Sequence, residues 1–215
     1  MHNGHFLRNE RQIGKYASII VFLLLVVYAV TLTKGLLSLT SQQEPIRDPF
    51  FSILEIIILI MAPLMVVLMA AVHSYAAKDV KIYSLTALIF MSLLAGITSS
   101  VHFVVLFVSR QIEAISEISM KVFFSFTWPS VIYALDILAW DLFFGLSMIF
   151  AAAVFKGGKL EKSVRISMLI SGWLCIAGLI GPVANMQLRM IGVVGYVPVF
   201  AVVCLLLFRV FSRPK

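Results

Sequence analysis

One feature recurs along the whole chain: runs of about twenty or more mostly apolar residues, each long enough to cross roughly 30 Å of hydrocarbon. Read from the sequence, six such runs fall near 16–39, 52–76, 82–109, 131–155, 163–184 and 188–211. A segment in lipid has to satisfy its own backbone N–H and C=O groups. The expected fold class is therefore all-α, a polytopic bundle of six transmembrane helices forming one domain over 1–215. Composition agrees: 61% of the residues are apolar and 13% charged, whereas soluble domains are about 45–50% apolar.

The basic residues set an orientation. Arg8, Arg11, Lys15, Lys78, Lys81, Lys156, Lys159, Lys162, Arg165, Arg209, Arg213 and Lys215 fall on one side of six alternating spans. Lys34, Arg47, Arg110, Lys121 and Arg189 fall on the other. The positive-inside rule then places both termini in the cytoplasm. The same distribution accounts for the formal charge of +7 without a nucleic-acid partner, because the cations flank apolar spans instead of lining one face. Arg8, Arg11 and Lys15 ahead of an apolar run, with Val27-Tyr28-Ala29 inside it, imitate a secretory signal. The run continues through that site, which reads as a retained signal-anchor helix. Cys175 and Cys204 have neither metal-ligand spacing nor a disulfide pattern and are expected as buried free thiols.

Against this background the fourth span is anomalous. The stretch WPSVIYALDILAWDLFFGLSMIFAAAVF, Trp128 to Phe155, carries Asp136 and Asp141 inside a membrane helix. A carboxylate near the centre of such a helix costs roughly 2.5–3.5 kcal/mol on insertion scales, so these residues face a bundle interior or a wet cavity and often mark function. At 100° per residue the two acids stand about 140° apart, with Tyr133, Trp140, Phe144 and Met148 between them. They border one aromatic face, to which Tyr133 and Trp140 offer polar tips. The alternative is that each acid pairs with a basic or hydroxyl side chain and only fixes helix packing.

Other spans supply partners. In the third, Ser84, Ser92, Ser99 and His102 share a face with Ala95, and a buried imidazole needs a partner. In the second, Glu55 and His73 share a face but lie about 27 Å apart along the axis, and Pro63 between them is expected to kink the helix. The fifth and sixth spans carry Ser171, Gly178, Gly192 and Gly195, the small residues of close helix packing. By depth, Glu55, His102, Asp136 and Asp141 converge on the outer half of the bundle. After the third span, Ile112, Ile115 and Ile118 read as an interfacial helix leading into an aromatic belt of Phe123, Phe124, Phe126 and Trp128. Pro129 fits the first turn of the fourth span.

Imidazole with carboxylates suits zinc, iron or manganese, which makes His102, Asp136 and Asp141 candidate metal ligands, although no short metal motif accompanies them and no cofactor is specified. A proton relay through Asp141, Asp136 and His102 suits secondary transport, without the inverted repeat common in transporters. No nucleophile elbow names a reaction.

The stretch from Asp141 to Arg213, with DLFFGLSMIFAAAVFKGGKLEKSVRISMLISGW followed by a glycine-rich last span, resembles the final three helices of uncharacterised bacterial six-helix integral membrane proteins of the domain-of-unknown-function type. The resemblance implies a helix bundle in a bacterial inner membrane and implies no activity. The reading that follows is a small-solute or ion-coupled transporter or sensor with an outward-facing polar pocket of Glu55, Ser99, His102, Tyr133, Asp136, Trp140 and Asp141. A membrane-embedded metal-dependent enzyme and a structural or assembly subunit are the alternatives. The expected partners are the bilayer and a small ligand or ion.

Overall fold

The computed structural model describes residues 7–40, 46–108 and 122–213. Helix makes up 84% of the structure, and no strand occurs among the described residues. The long helices are α1 (Arg8–Leu37), α2 (Phe50–Tyr75), α3 (Lys78–Val108), α4 (Val131–Ala152), α5 (Lys159–Gly178) and α6 (Met186–Ser212). Five of them, all but α5, are long and apolar enough to cross a membrane. At 20 residues α5 is about 30 Å long, but Lys159, Glu161, Lys162 and Arg165 charge its first two turns. The expected interfacial helix at 112–118 lies outside the described residues, as does the connection at 41–45.

Neighbouring helices pack in a closed circuit: α1 on α2, α2 on α3, α3 on α4, α4 on α5, α5 on α6, and α6 back on α1. Successive helices run in opposite directions, as their end contacts show. At one end Arg11 of α1 donates to the Arg213 carbonyl just past α6 (3.2 Å), and the ring of Tyr75 at the end of α2 meets that of Phe211 (6.1 Å). Tyr75 also donates to Glu161 in the first turn of α5 (3.5 Å). His73 of α2 bonds Ser84 of α3 (2.8 Å), and Lys156 after α4 pairs with Asp79 at the start of α3 (2.9 Å).

The local signals explain the helix ends. The Asp48-Pro49 turn starts α2, with Asp48 accepting from the Ser52 N–H (3.1 Å). Ser130 caps α4 by accepting from the Tyr133 N–H (3.2 Å), so Pro129 stands just before the helix and not in its first turn. Gly157 and Gly158 turn the chain between α4 and α5. α2 runs through Pro63 unbroken, with the ring on the exposed face. α1 starts eight residues before the apolar run read from the sequence, because Arg8, Arg11 and Lys15 extend the helix beyond its apolar part.

Between the helices lies a core of Met61, Met65, Met69, Met91, Met148, Phe144 and Phe200, all essentially inaccessible. Unbranched methionines fill the uneven gaps between crossing helices, and Phe144 meets Phe200 edge to face (4.9 Å). Small residues let α5 approach its neighbours. A Cβ on Gly145 would lie 3.0 Å from the Gly172 carbonyl, and one on Gly195 2.7 Å from the Ser171 carbonyl. Ser171 Oγ donates to the Gly195 carbonyl (2.8 Å) and Ser147 Oγ to the Ala87 carbonyl (2.8 Å). Cys175 and Cys204 are both free and buried.

Candidate functional site, a buried chain of charges

Three helices depart from α geometry beside the same region. π-Helical turns occupy Val104–Val108 in α3, Leu138–Phe143 in α4 and Gly195–Val199 in α6. A π turn admits an extra residue into a helix and often marks a functional site. In α4 the consequence is direct. Five residues of α-helix leave Asp136 and Asp141 about 140° apart. The wider π turn that begins at Leu138 reduces the angular step per residue and so narrows that separation, and both carboxylates reach the same partner.

That partner is Arg189. Its Nη2 donates to Asp136 Oδ2 at 2.8 Å and its Nε to Asp141 Oδ2 at 3.1 Å, while its guanidinium stacks over the Tyr133 ring at 4.6 Å. Arg189 closes the 3-10 turn that opens α6, and Asn185 caps that turn by accepting from the Gln187 N–H (2.9 Å). Gly181 gives the turn room, since a Cβ there would lie 2.9 Å from the Arg189 backbone nitrogen.

The chain of charges continues through Asp136. Its Oδ1 faces His102 Nε2 at 3.5 Å. His102 Nδ1 lies 2.6 Å from Glu55 Oε2 on α2. The sequence Glu55, His102, Asp136, Arg189, Asp141 therefore links four helices through one continuous set of polar contacts. All five are buried, from 0% exposure at Asp141 to 7% at Asp136 and Arg189. Phe126 stacks on His102 (5.4 Å) and meets Tyr133 edge on (6.1 Å), closing the site from one side. Tyr28 of α1 and Tyr196 of α6 lie within electrostatic range of Asp136 and Arg189.

Asp141 is held differently from Asp136. A Cβ on Gly192 would overlap its Oδ1, and a Cβ on Gly178 would crowd the same atom. The two glycines thus wrap one carboxylate oxygen while Arg189 takes the other. Cys175, one turn before Gly178, contacts the Gly192 carbonyl through Sγ (3.8 Å).

The residues singled out from the sequence separate as follows. Glu55, His102, Asp136 and Asp141 belong to the network. Tyr133 presents its ring face to Arg189. Trp140 turns from the acids and donates Nε1–H to Thr98 Oγ1 (3.0 Å) while packing on Tyr196 (5.0 Å). Ser99 is half-buried, and its neighbour Thr98, fully buried, takes the polar role instead. Ser92 is exposed and bonds its own helix at the Leu88 carbonyl (2.9 Å). The charged side chains of the expected outward-facing polar pocket are enclosed and bonded to one another. A cavity of about 290 Å³ lies nearby, but it is an apolar groove between α3 and α4 lined by Gly96, Ile97, Ser100, Val101, Val104, Ile132 and Leu135.

The candidate metal ligands His102, Asp136 and Asp141 are all tied into this network. Among the described residues no group of three or more His, Cys, Asp or Glu side chains is arranged to hold a metal ion. One oxygen of each aspartate is bonded to the guanidinium and His102 Nδ1 to Glu55, while His102 Nε2, Asp136 Oδ1 and Asp141 Oδ1 have no hydrogen-bond partner. The cation between the aspartates is the protein's own.

Arg189 was the residue hardest to find from sequence, where it counts as one more loop cation. The signal available was stoichiometric. Three intramembrane carboxylates need a counter-charge, and Arg189 is the sole Lys or Arg between Arg165 and Arg209. No protein-family model matches the chain, and no curated protein or solved structure shows significant similarity to it.

Proposed function

We propose that the chain is an ion-coupled transporter or sensor of a cell membrane, in a bacterial inner membrane, and that the ion is a proton held between His102 and Asp136. The observation that carries this reading is the 3.5 Å gap between His102 Nε2 and Asp136 Oδ1, neither of which has a hydrogen-bond partner although both atoms are buried. With Glu55 ionised, the short contact at Nδ1 is made by an N–H donating to a carboxylate, a charge-assisted bond. Nε2 then faces a carboxylate oxygen. Without a further proton, two lone pairs oppose each other in a low-dielectric interior, and an unsatisfied buried polar atom costs about 1–3 kcal/mol. A proton on Nε2 turns the contact attractive.

Charge counting points the same way. Three carboxylates stand against one guanidinium and one imidazole. Even with His102 protonated the set carries one net negative charge, and without that proton it carries two. Loss of the proton sets His102 and Asp136 against each other across the α3–α4 contact, and because each is tied to a further helix, the repulsion acts on α2 and on the start of α6. This is how protonation would move helices, the requirement of a coupled transporter or a pH-reading sensor. A structural clamp is the competing reading, favoured by how completely the side chains are enclosed.

The membrane arrangement that accompanies this reading has six crossings with both termini in the cytoplasm, α5 being the least apolar. The basic asymmetry and the alternating helix directions support it. Single cysteines at Gln42 and Ser116, in a background where the native thiols are buried, test it: both should label from outside intact cells, and labelling only after permeabilisation would refute it. The proton reading is tested in proteoliposomes loaded with a pH-sensitive dye and challenged with a panel of small solutes. Solute-dependent acidification or alkalinisation that disappears in Asp136→Asn and His102→Gln supports coupling, and proton binding unchanged by either substitution reduces the network to a clamp.

A further inference from the structure

The seam between α1 and α6 carries cations that the buried network does not use. Arg8, Arg11 and Lys15 are spaced by three and four residues, so they lie within about 60° of one another on a single stripe of α1. Two contacts fix that stripe against α6: Arg11 Nη1 donates to the Arg213 carbonyl (3.2 Å), and Lys15 Nζ lies 5.4 Å from the Phe208 ring centroid. Gly14 lets the helices close here, since a Cβ on it would come 2.9 Å from the Phe211 ring. Arg209 and Arg213 extend the positive charge along α6, and both are exposed. Arg8, Arg11 and Lys15 thus line one end of the seam, with Arg209 exposed on the adjacent surface of α6.

The opposing charge is missing from both helices. α6 holds no acidic residue, and α1 holds only Glu10, about 200° around the helix from Arg8. Its carboxylate accepts from the Leu7 N–H (2.9 Å). Positive-inside topology asks for cations near a helix end, but it does not ask that three of them share one stripe beside a neighbouring helix.

Towards the middle of the bundle the stripe becomes apolar, half-buried at Ile19 and Phe22 and exposed from Val26. Arg8, Arg11 and Lys15 give way to Ile19, Phe22 and Val26 on the same face of α1, and Arg209 gives way to Leu205 and Val202 on α6. Val26 is 42% exposed, Leu205 37% and Val202 48%. Positive charge at the end of a transmembrane seam, continuous with exposed aliphatic surface along it, matches a molecule with an anionic head and hydrocarbon tails.

We infer that the α1–α6 seam is a binding site for an anionic phospholipid, with the headgroup phosphate among Arg8, Arg11, Lys15 and Arg209 and the acyl chains along Ile19, Phe22, Val26, Leu205 and Val202. Basic pockets between transmembrane helices recognise such headgroups, and polybasic segments gain attraction from each cation near the surface. The site is separate from the His102–Asp136 contact and stands whether or not that contact carries a proton.

The test is titration of the purified full-length protein in a neutral detergent with phosphatidylglycerol or phosphatidylcholine, counting bound lipid by native mass spectrometry. Phosphatidylglycerol is expected to bind at least tenfold more tightly, with the preference shrinking as salt rises. Lys15→Gln and Arg209→Gln should each weaken it about fivefold, and the double variant about twenty-fivefold. Arg165→Gln, an exposed cation on α5, should leave it unchanged. Arms with inorganic phosphate and with glycerol phosphate separate the headgroup from the lipid: competition only at far higher concentration is expected. Equal binding of the two lipids, an unaffected double variant, or full competition by phosphate would each overturn the assignment. Should the double variant fail to fold, the exposed single variant Arg209→Gln decides by the same fivefold criterion.

Discussion

Replacing Arg189 by methionine removes the one guanidinium of the buried network and leaves Asp136 and Asp141 without their shared partner. The loss can be sized from the contacts: charge-assisted bonds at 2.8 Å and 3.1 Å, to carboxylates 7% and 0% exposed. Breaking a buried pair from one side costs about 3–5 kcal/mol, most of it the penalty of a stranded charge. For a chain of this size that corresponds to a fall in apparent Tm of roughly 6–20 °C, at about 2–4 °C per kcal/mol. The size of a compensating rescue identifies the cause. If stranded charge dominates, combining Arg189→Met with Asp136→Asn and Asp141→Asn should recover more than half of the loss, because the amides keep the shape and drop the charge. Arg189→Lys should fall between, since a point ammonium cannot fork to both acids as the guanidinium does. Thermal unfolding in detergent, followed by tryptophan fluorescence, measures all of these. An Arg189→Met variant as stable as the parent would refute a stranded-charge cost, and a lack of rescue on neutralising the acids would assign the arginine's value to its stacking on Tyr133.

Three further outcomes follow from single contacts. Gly192→Ala puts a methyl where Asp141 Oδ1 lies, and should lower stability by about 1–3 kcal/mol by overpacking; adding Asp141→Ala should relieve part of it in the same thermal assay. Trp140→Phe and Thr98→Val each break the 3.0 Å bond from Nε1 to Oγ1 and should cost about 1 kcal/mol, with a double-mutant cycle showing that the losses are shared rather than additive. Asp141→Asn should retain the fold and the glycine cradle, because it keeps the planar shape, while His102→Gln should abolish the pH response of the network.

Much of the fold was legible because lipid imposes a simple rule: long apolar runs become helices, and five of the six runs read from the sequence became helices long and apolar enough to span a membrane. The charged start of α5 was visible as Lys159, Glu161, Lys162 and Arg165, and it is what separates that helix from the other five. Asp136, Asp141 and His102 stood out because ionisable groups in apolar runs are costly. Two things stayed hidden. A π turn leaves no mark on hydropathy, so an α-helical wheel set the two aspartates at the edges of a face when they in fact converge on one guanidinium. Arg189 escaped because a residue at a helix start can point either outward to water or back into the bundle, and only the packing of Gly178, Gly181 and Gly192 turns it inward.

A proton held in the contact between His102 and Asp136 can be detected directly. Trp140 reports on it from one helical turn away, and replacing Trp128 and Trp173 with phenylalanine leaves Trp140 as the sole fluorophore of its kind. Its emission, recorded in detergent from acid to alkaline pH, should pass through one reversible single-proton transition that vanishes in both His102→Gln and Asp136→Asn. A pH-invariant signal, or a transition that survives both substitutions, would contradict the account.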